Sequence, residues 1–195
     1  MKYIVKGSEP QSFTQWKQGA VKEYTTLRNP VKANLKQTLI EEQGHICCYC
    51  ERRLVNDDCH IEHLIPQNEP TVDNLDFSNM LCSCQKTLRR GEPRHCGNSK
   101  DNNILQITPL QKNCAEKFNY TADGYIEGID NDSRDTIEIL NLSIDKLNNL
   151  RNSAIEPFLS KELSIEEVQT FVNSYLRKTN GQYNEFYTTI QHLFP

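Results

Sequence analysis

The chain has 195 residues, 36% of them apolar and 25% charged, with a formal net charge of −4. A mean hydropathy of −0.69 and the lack of any long apolar run exclude a membrane-spanning helix. The acidic balance excludes a uniformly cationic nucleic-acid coat, so any phosphate contact must come from a local basic patch.

In chain order, Met1–Gly7 is too short and too polar for an export signal. Residues 1–19 read as an irregular lead with a short strand near Tyr3–Val5. Asn29-Pro30 then reads as an N-cap followed by proline at the first helical position. Val31, Leu35 and Leu39 recur every four residues and Gly44 supplies a stop. This predicts a helix over 30–43. Residues 45–102 are rich in Cys, His, Asn and turn formers and carry too few apolar residues for an ordinary core. Segment 104–129 reads as loop with short strands around Ile104–Ile107 and Tyr125–Ile129. From Asp132 the pattern is helical. Ile144, Leu147, Leu150, Ile155 and Phe158 trace one face, with Ser143 as a cap and Pro157 as a kink or stop. Ser164-x-x-Glu167 is a capping box ahead of a Val168, Phe171, Val172, Tyr175, Leu176 stripe. Gly181 is expected to end that helix, and Phe186, Ile190 and Leu193 suggest one more.

Eight cysteines are the strongest signal, and seven lie between Cys47 and Cys96. A chain without an export signal meets a reducing cytoplasm, where clustered cysteines are more often metal ligands or redox centres than disulfides. Cys47 and Cys50 have the spacing that brings two thiolates from one tight turn to one zinc ion. Cys82-Ser83-Cys84 is too tightly spaced to be the usual second pair. Cys84 with Cys96 works if residues 85–95 loop out. The expectation is a closed, structural four-thiolate zinc site of Cys47, Cys50, Cys84 and Cys96. Two other readings compete with catalysis: a zinc-stabilised nucleic-acid-binding module, and a dithiol oxidoreductase using Cys47 and Cys50.

Between the cysteine pairs lies His60-Ile61-Glu62-His63-Leu64-Ile65-Pro66. A carboxylate such as Glu62 is a hard ligand for Mg²⁺ or a related ion. A neutral imidazole such as His63 can take a proton from water near pH 7. Phosphodiester hydrolysis uses both. Residues 84–100 carry Lys86, Arg89, Arg90, Arg94 and Lys100 against Glu92, which reads as a phosphate-positioning patch. Residues 130–167 hold nine acids and four bases, a surface better suited to protein contacts.

Cys47-x-x-Cys50, Glu62-His63-Leu64-Ile65-Pro66, Asn79-Met80-Leu81-Cys82-Ser83-Cys84 and Cys96 through Lys100 together resemble the HNH, or ββα-metal, nuclease family. Cys47-x-Tyr49-Cys50-Glu51, His60-Ile61-Glu62-His63, Arg94-His95-Cys96-Gly97 and Lys100-Asp101-Asn102 are similar to the PtuB-type HNH subunit of Septu and retron-associated anti-phage systems. The resemblance covers about residues 1–151. It implies an α+β protein with a small zinc-held ββα-metal core flanked by N- and C-terminal helices. The implied division is a lead and helix over 1–44, the nuclease core over 45–129, and a helical, partner-docking region over 130–195. It implies a metal-dependent DNA endonuclease, cytoplasmic, gated by a PtuA-like ATPase subunit, with a retron reverse transcriptase and its RNA–DNA product as further candidate partners. His63 would be the general base, and Glu62 and Asn98 would hold the catalytic Mg²⁺ or Mn²⁺. Asn79 would orient His63 or hold the loop. The family's Asn or His after the last cysteine is Gly97 here. His95, Asp101, Asn102 and His60 therefore rival Asn98 as the last ligand, and on a strand His60 would share a face with Glu62. The hairpin is expected through residues 55–65, with Glu62-His63 near its turn or second strand, and the helix near or after Asn98–Asn102.

Overall fold

The computed structural model describes residues 1–20, 23–55 and 58–195. It is mixed in class, with two small sheets set among helices, as the α+β expectation has it. Helix α1 (Gln11–Lys17) lies in the lead that the sequence reads as irregular. Its one buried residue, Phe13, stacks on Trp16 with ring centroids 5.9 Å apart. A seven-residue helix with one apolar anchor shows no periodicity to detect. The expected strand at Tyr3–Val5 does not form. Ile4 donates one backbone bond to the Pro109 carbonyl, 2.8 Å, and no ladder follows.

Helix α2 (Val31–Glu42) forms where the four-residue spacing places it, burying Leu35, Leu39 and Ile40. It ends as Gly44 enters a left-handed conformation (φ 65°), and His45 N–H bonds back to the Ile40 carbonyl at 2.8 Å, a glycine-assisted helix stop. Gln43 then joins three segments. Its amide donates to the Ile46 and Cys82 carbonyls at 2.9 and 2.8 Å, and its oxygen accepts from Cys82 N–H at 2.6 Å.

Strands β1 (Cys59–His63) and β2 (Met80–Cys84) pair antiparallel, from Cys59 opposite Cys84 to His63 opposite Met80. The hairpin is therefore wider than the expected 55–65. Its second strand lies beyond a connection over 64–79, so Glu62-His63 closes the first strand. Residues 56 and 57 of the expected hairpin lie outside the described residues. Helix α3 (Gly97–Lys100) starts one residue earlier than expected and is a single turn.

A second hairpin pairs β3 (Phe118–Tyr120) with β4 (Ile126–Gly128). This meets the expectation around Tyr125–Ile129, whereas Ile104–Ile107 forms no strand. Helix α4 (Asn131–Ile139) is opened by a reciprocal Asp130/Ser133 capping box. Helix α5 (Asp145–Ile155) is capped at Ile144 rather than Ser143, and Pro157 falls in the 3₁₀ turn that follows it. Helix α6 (Ile165–Tyr175) uses the Ser164/Glu167 box. It ends before Gly181, which lies instead in the turn closed by the Thr179–Gln182 bridge. Helix α7 (Tyr187–Leu193) completes the chain. One apolar cluster runs from Met1 to Leu147, and a smaller one joins Ile155, Phe158, Val172 and Ile190. Among the described residues no helix is long and apolar enough to cross a membrane.

Arg151 on α5 fastens the β3–β4 turn to the helices. Fully buried, it donates to the Gly124 carbonyl (2.9 Å), the Asn148 side-chain oxygen (2.8 Å) and the Leu142 carbonyl. Gly124 has φ 88°, and a Cβ there would overlap the α5 backbone at Asn148. Replacing Arg151 with Met should strand two buried carbonyls and cost about 2–4 kcal/mol. Urea unfolding measures it, and an unchanged midpoint would remove Arg151 from this role.

Candidate functional site

Four sulfurs come together from three segments. Cys47 and Cys50 come from the turn after α2, Cys84 from the end of β2, and Cys96 from the residue before α3. Their Sγ atoms all lie within 4.8 Å of one another, and all four residues are buried. This is the set that the spacing selects, with residues 85–95 looping out between Cys84 and Cys96. Cys82, two residues from Cys84, is not a member. Four converging thiols fit a single tetrahedral metal centre better than a two-cysteine redox motif. Burial pushes the Cys47 thiol up, but hydrogen bonds from Cys48, Cys50, Cys84 and Cys96 outweigh it and favour the thiolate.

His95 belongs to this cluster rather than to the carboxylate site. Its ring is fully buried, with Nδ1 at 3.2 Å from the Cys96 sulfur and 3.8 Å from that of Cys84. Burial lowers its pKa to about 4, so a neutral ring can direct an N–H at sulfur. Ser83 Oγ accepts from Gly97 N–H at 3.0 Å, linking β2 to the start of α3.

The α3 turn carries this order to β1. Alternate residues of a strand face opposite ways, so His60 and Glu62 share a face. His60 Nε2 lies 3.4 Å from Glu62 Oε2, Lys100 Nζ lies 3.2 Å from Glu62 Oε1, and Tyr49 O–H donates to that same oxygen at 3.1 Å. Burial pushes the Glu62 carboxyl up. The hydrogen bond from His60 and the Lys100 charge more than offset this, holding it below its ordinary value and ionised.

Lys100, read from the sequence as part of an exposed basic run, is 1% exposed. Besides Glu62, it donates to the His63 carbonyl at 3.0 Å. Its partners come from β1, far away in sequence, so its local charge context misplaces it. Lys86, Arg89, Arg90 and Arg94 are exposed, as that reading has them. The Asn98 side-chain amide donates to the Gln85 carbonyl. Asp101 and Asn102 are exposed just past α3. The residue of α3 against the carboxylate is Gly97, where a Cβ would overlap Glu62 and come 2.7 Å from His60 Nε2. A side chain at 97 would force the ends of the Glu62 and His60 side chains to shift.

His63 lies on the other face of β1, its ring buried. Nε2 is 3.0 Å from the Asn74 carbonyl, while Nδ1 has no partner. A carbonyl only accepts, so Nε2 carries the proton and Nδ1 keeps its lone pair. Burial lowers the pKa of His63 below its ordinary value, favouring this neutral form. Tyr24, unnoticed in the sequence, meets the ring edge-on at 4.5 Å between centroids. Asn79 holds the loop and not the imidazole. Its amide oxygen accepts from Ile65 N–H at 2.7 Å and its amide donates to the Ile65 carbonyl at 3.0 Å.

The fold and site define a small α+β protein in which a four-sulfur cluster buttresses a carboxylate–histidine strand. No protein-family model matches the chain. A curated protein of Vibrio cholerae serotype O1 biovar El Tor, described as "Retron Vc95 putative HNH endonuclease", is 34% identical to it over 99 residues. That alignment spans 49% of this chain and 47% of the relative, so the chain spans about half the length of the relative it matches. The likeness bears out the HNH resemblance carried by the motifs.

Gly97→Ala should drive Glu62 and His60 apart and cost about 1–3 kcal/mol. A thermal melt reads this directly, and wild-type stability would show that the close approach is not needed.

Proposed function

We propose that this chain is a metal-dependent HNH endonuclease hydrolysing DNA phosphodiester bonds. In this reading it is the cytoplasmic effector subunit of an anti-phage complex gated by a PtuA-type ATPase. The observation that carries the chemistry is His63, a buried neutral imidazole whose Nε2–H is committed to the Asn74 carbonyl and whose Nδ1 lone pair is unpartnered. The lone pair on this nitrogen can take a proton from an attacking water admitted to it. The Asn74 bond fixes both tautomer and ring direction, and Asn79 fixes the loop that follows β1.

His60 and Glu62 are the groups suited to hold a catalytic Mg²⁺ or Mn²⁺, one imidazole and one ionised carboxylate with their facing atoms 3.4 Å apart. His60 is preferred to Asn98 in this role because it already faces Glu62, whereas the Asn98 amide N–H is directed at the Gln85 carbonyl. A divalent ion held there would stabilise charge on the phosphate and on the leaving oxygen. Lys100 braces Glu62 and the β1 backbone from behind and does not act as a surface phosphate clamp. Cys47, Cys50, Cys84 and Cys96 would hold a structural zinc, closed and therefore not itself catalytic. The relative's name supports a retron setting for that protein, and an RNA–DNA product is a candidate partner here by extension. The acidic stretch over 130–167 is the candidate docking region for the ATPase.

Purified protein should carry one zinc per chain by metal analysis. Cys84→Ser should lose it and Cys82→Ser should keep it; retention in both would disperse the proposed centre. In a plasmid-nicking assay with Mn²⁺ and the partner present, His63→Ala should lower cleavage at least about 100-fold while zinc content and melting temperature stay unchanged. EDTA should give the same loss. A fully active His63→Ala protein would eliminate this mechanism, and binding without cation-dependent nicking in the wild type would leave a binding module.

A further inference from the structure

His63 presents its lone pair from inside the protein. The residue is 5% exposed, and Nδ1 meets no donor or acceptor among the described residues. A base buried in this way takes a proton from water only when water is let in to it. Two neighbours hold the ring. The Asn74 carbonyl lies 3.0 Å from Nε2. Tyr24 packs against the ring at 4.5 Å between centroids, with the two planes 89° apart. The Asn74 contact sets the tautomer, whereas the Tyr24 contact only covers.

Tyr24 also stands between two openings in the surface. A cavity of about 460 Å³ between α2 and β1 has Tyr24, Asn29 and His60 in its wall. Another, of about 340 Å³, has Tyr24, Glu23, Gln67 and Asn74. Tyr24 is the one described residue that the two walls share, and His63 lines neither. Little holds Tyr24 in this place. It begins a three-residue 3₁₀ turn, Tyr24–Thr26, too short to be stable by itself. Leu27 anchors the end of that turn in the core, while Glu23 and Thr25 are exposed. Among the described residues the Tyr24 hydroxyl has no hydrogen-bond partner. The ring's other polar contact is the Lys32 ammonium, 5.2 Å from its centre, and a cation over an aromatic face is a weak hold.

We infer that Tyr24 is a gate. In this structure its ring shuts His63 Nδ1 off from solvent, and movement of the Tyr24–Thr26 turn admits water to the base. What the gate controls rests on the nuclease reading; the shielding of the imidazole does not. Tyr24 acts through His63, so it is a positioning residue and not a catalytic one.

The test is acylation by diethyl pyrocarbonate, which attacks accessible imidazole nitrogens, followed residue by residue by peptide mass spectrometry with no divalent cation added. In the wild type His60, whose side chain is 25% exposed, should react at least about tenfold faster than His63. Tyr24→Ala should speed His63 at least about tenfold and leave the buried His95 protected. Tyr24→Phe keeps the ring and loses only the unpaired hydroxyl, so His63 should stay protected. Lys32→Met removes the ammonium from the ring and should speed His63 about threefold, the weight of one such contact. A wild-type His63 that reacts as fast as His60 overturns the inference, as does unchanged His63 reactivity in a Tyr24→Ala chain whose His95 is still protected. If Tyr24→Ala unmasks His95 as well, the fold is lost and Lys32→Met decides, with unchanged His63 reactivity overturning the gate. Plasmid nicking with Mn²⁺ and no partner should rise in Tyr24→Ala. Faster labelling without it, in a chain whose wild type nicks with the partner present, overturns the gate. Labelling that follows Tyr24 in a chain that never nicks removes the nuclease reading alone and supports the gate.

Discussion

Four sulfurs confined within 4.8 Å of one another connect segments that little else would hold together. The turn after α2, the last residue of β2 and the residue before α3 are all bound into one cluster. A four-residue helix such as α3 has no stability of its own, because a single turn fixes many dihedrals for few hydrogen bonds. Cys96 also takes a positive φ of 56°, a conformation a non-glycine residue keeps only when its surroundings impose it. Metal ligation by these thiols would supply the missing constraint as folding free energy. Everything α3 presents to β1, above all Gly97 and Lys100, depends on that anchor.

The alternation of β1 then separates two kinds of chemistry by one residue. Glu62 and His60 point toward α3, into a setting of Lys100 and the Tyr49 hydroxyl that keeps a buried carboxylate charged. His63 points the other way, against the Tyr24 ring and the Asn74 carbonyl, where burial favours the neutral imidazole. The carboxylate is held ionised on one face of the strand and the imidazole neutral on the other. Gly97 makes the first face possible by leaving space, and Asn79 fixes the chain that leaves the second.

The sulfur centre was legible in the sequence because its determinants are short-range. A C-x-x-C turn, an over-tight Cys82/Cys84 pair and a polar excursion leave few ways to assemble four ligands. Helix α2 and the capping box of α6 were legible for the same reason, since periodicity and caps are local properties. What depended on distant partners was not. Lys100 sits in a basic run, and only the fold brings it to Glu62 and buries it. The β1 partner lies across a long connection, so the hairpin was drawn too tight and Glu62-His63 was expected nearer its turn. Asn98 follows the last cysteine closely enough to suggest a ligand, and only the fold shows its amide N–H directed at the Gln85 carbonyl. Tyr24 precedes the motifs and carries no local signal, and only the fold brings its ring against that of His63.

The central claim is that the His60–Glu62 face of β1 binds the catalytic cation while the four cysteines bind a different, structural one. The most direct measurement is a crystal structure of the manganese-soaked protein with anomalous data collected at the manganese and zinc edges. The account predicts manganese held by His60 and Glu62 and a separate zinc held by Cys47, Cys50, Cys84 and Cys96. Manganese bound away from that pair, or an electron-density map in which the four sulfurs share no ion, would contradict it.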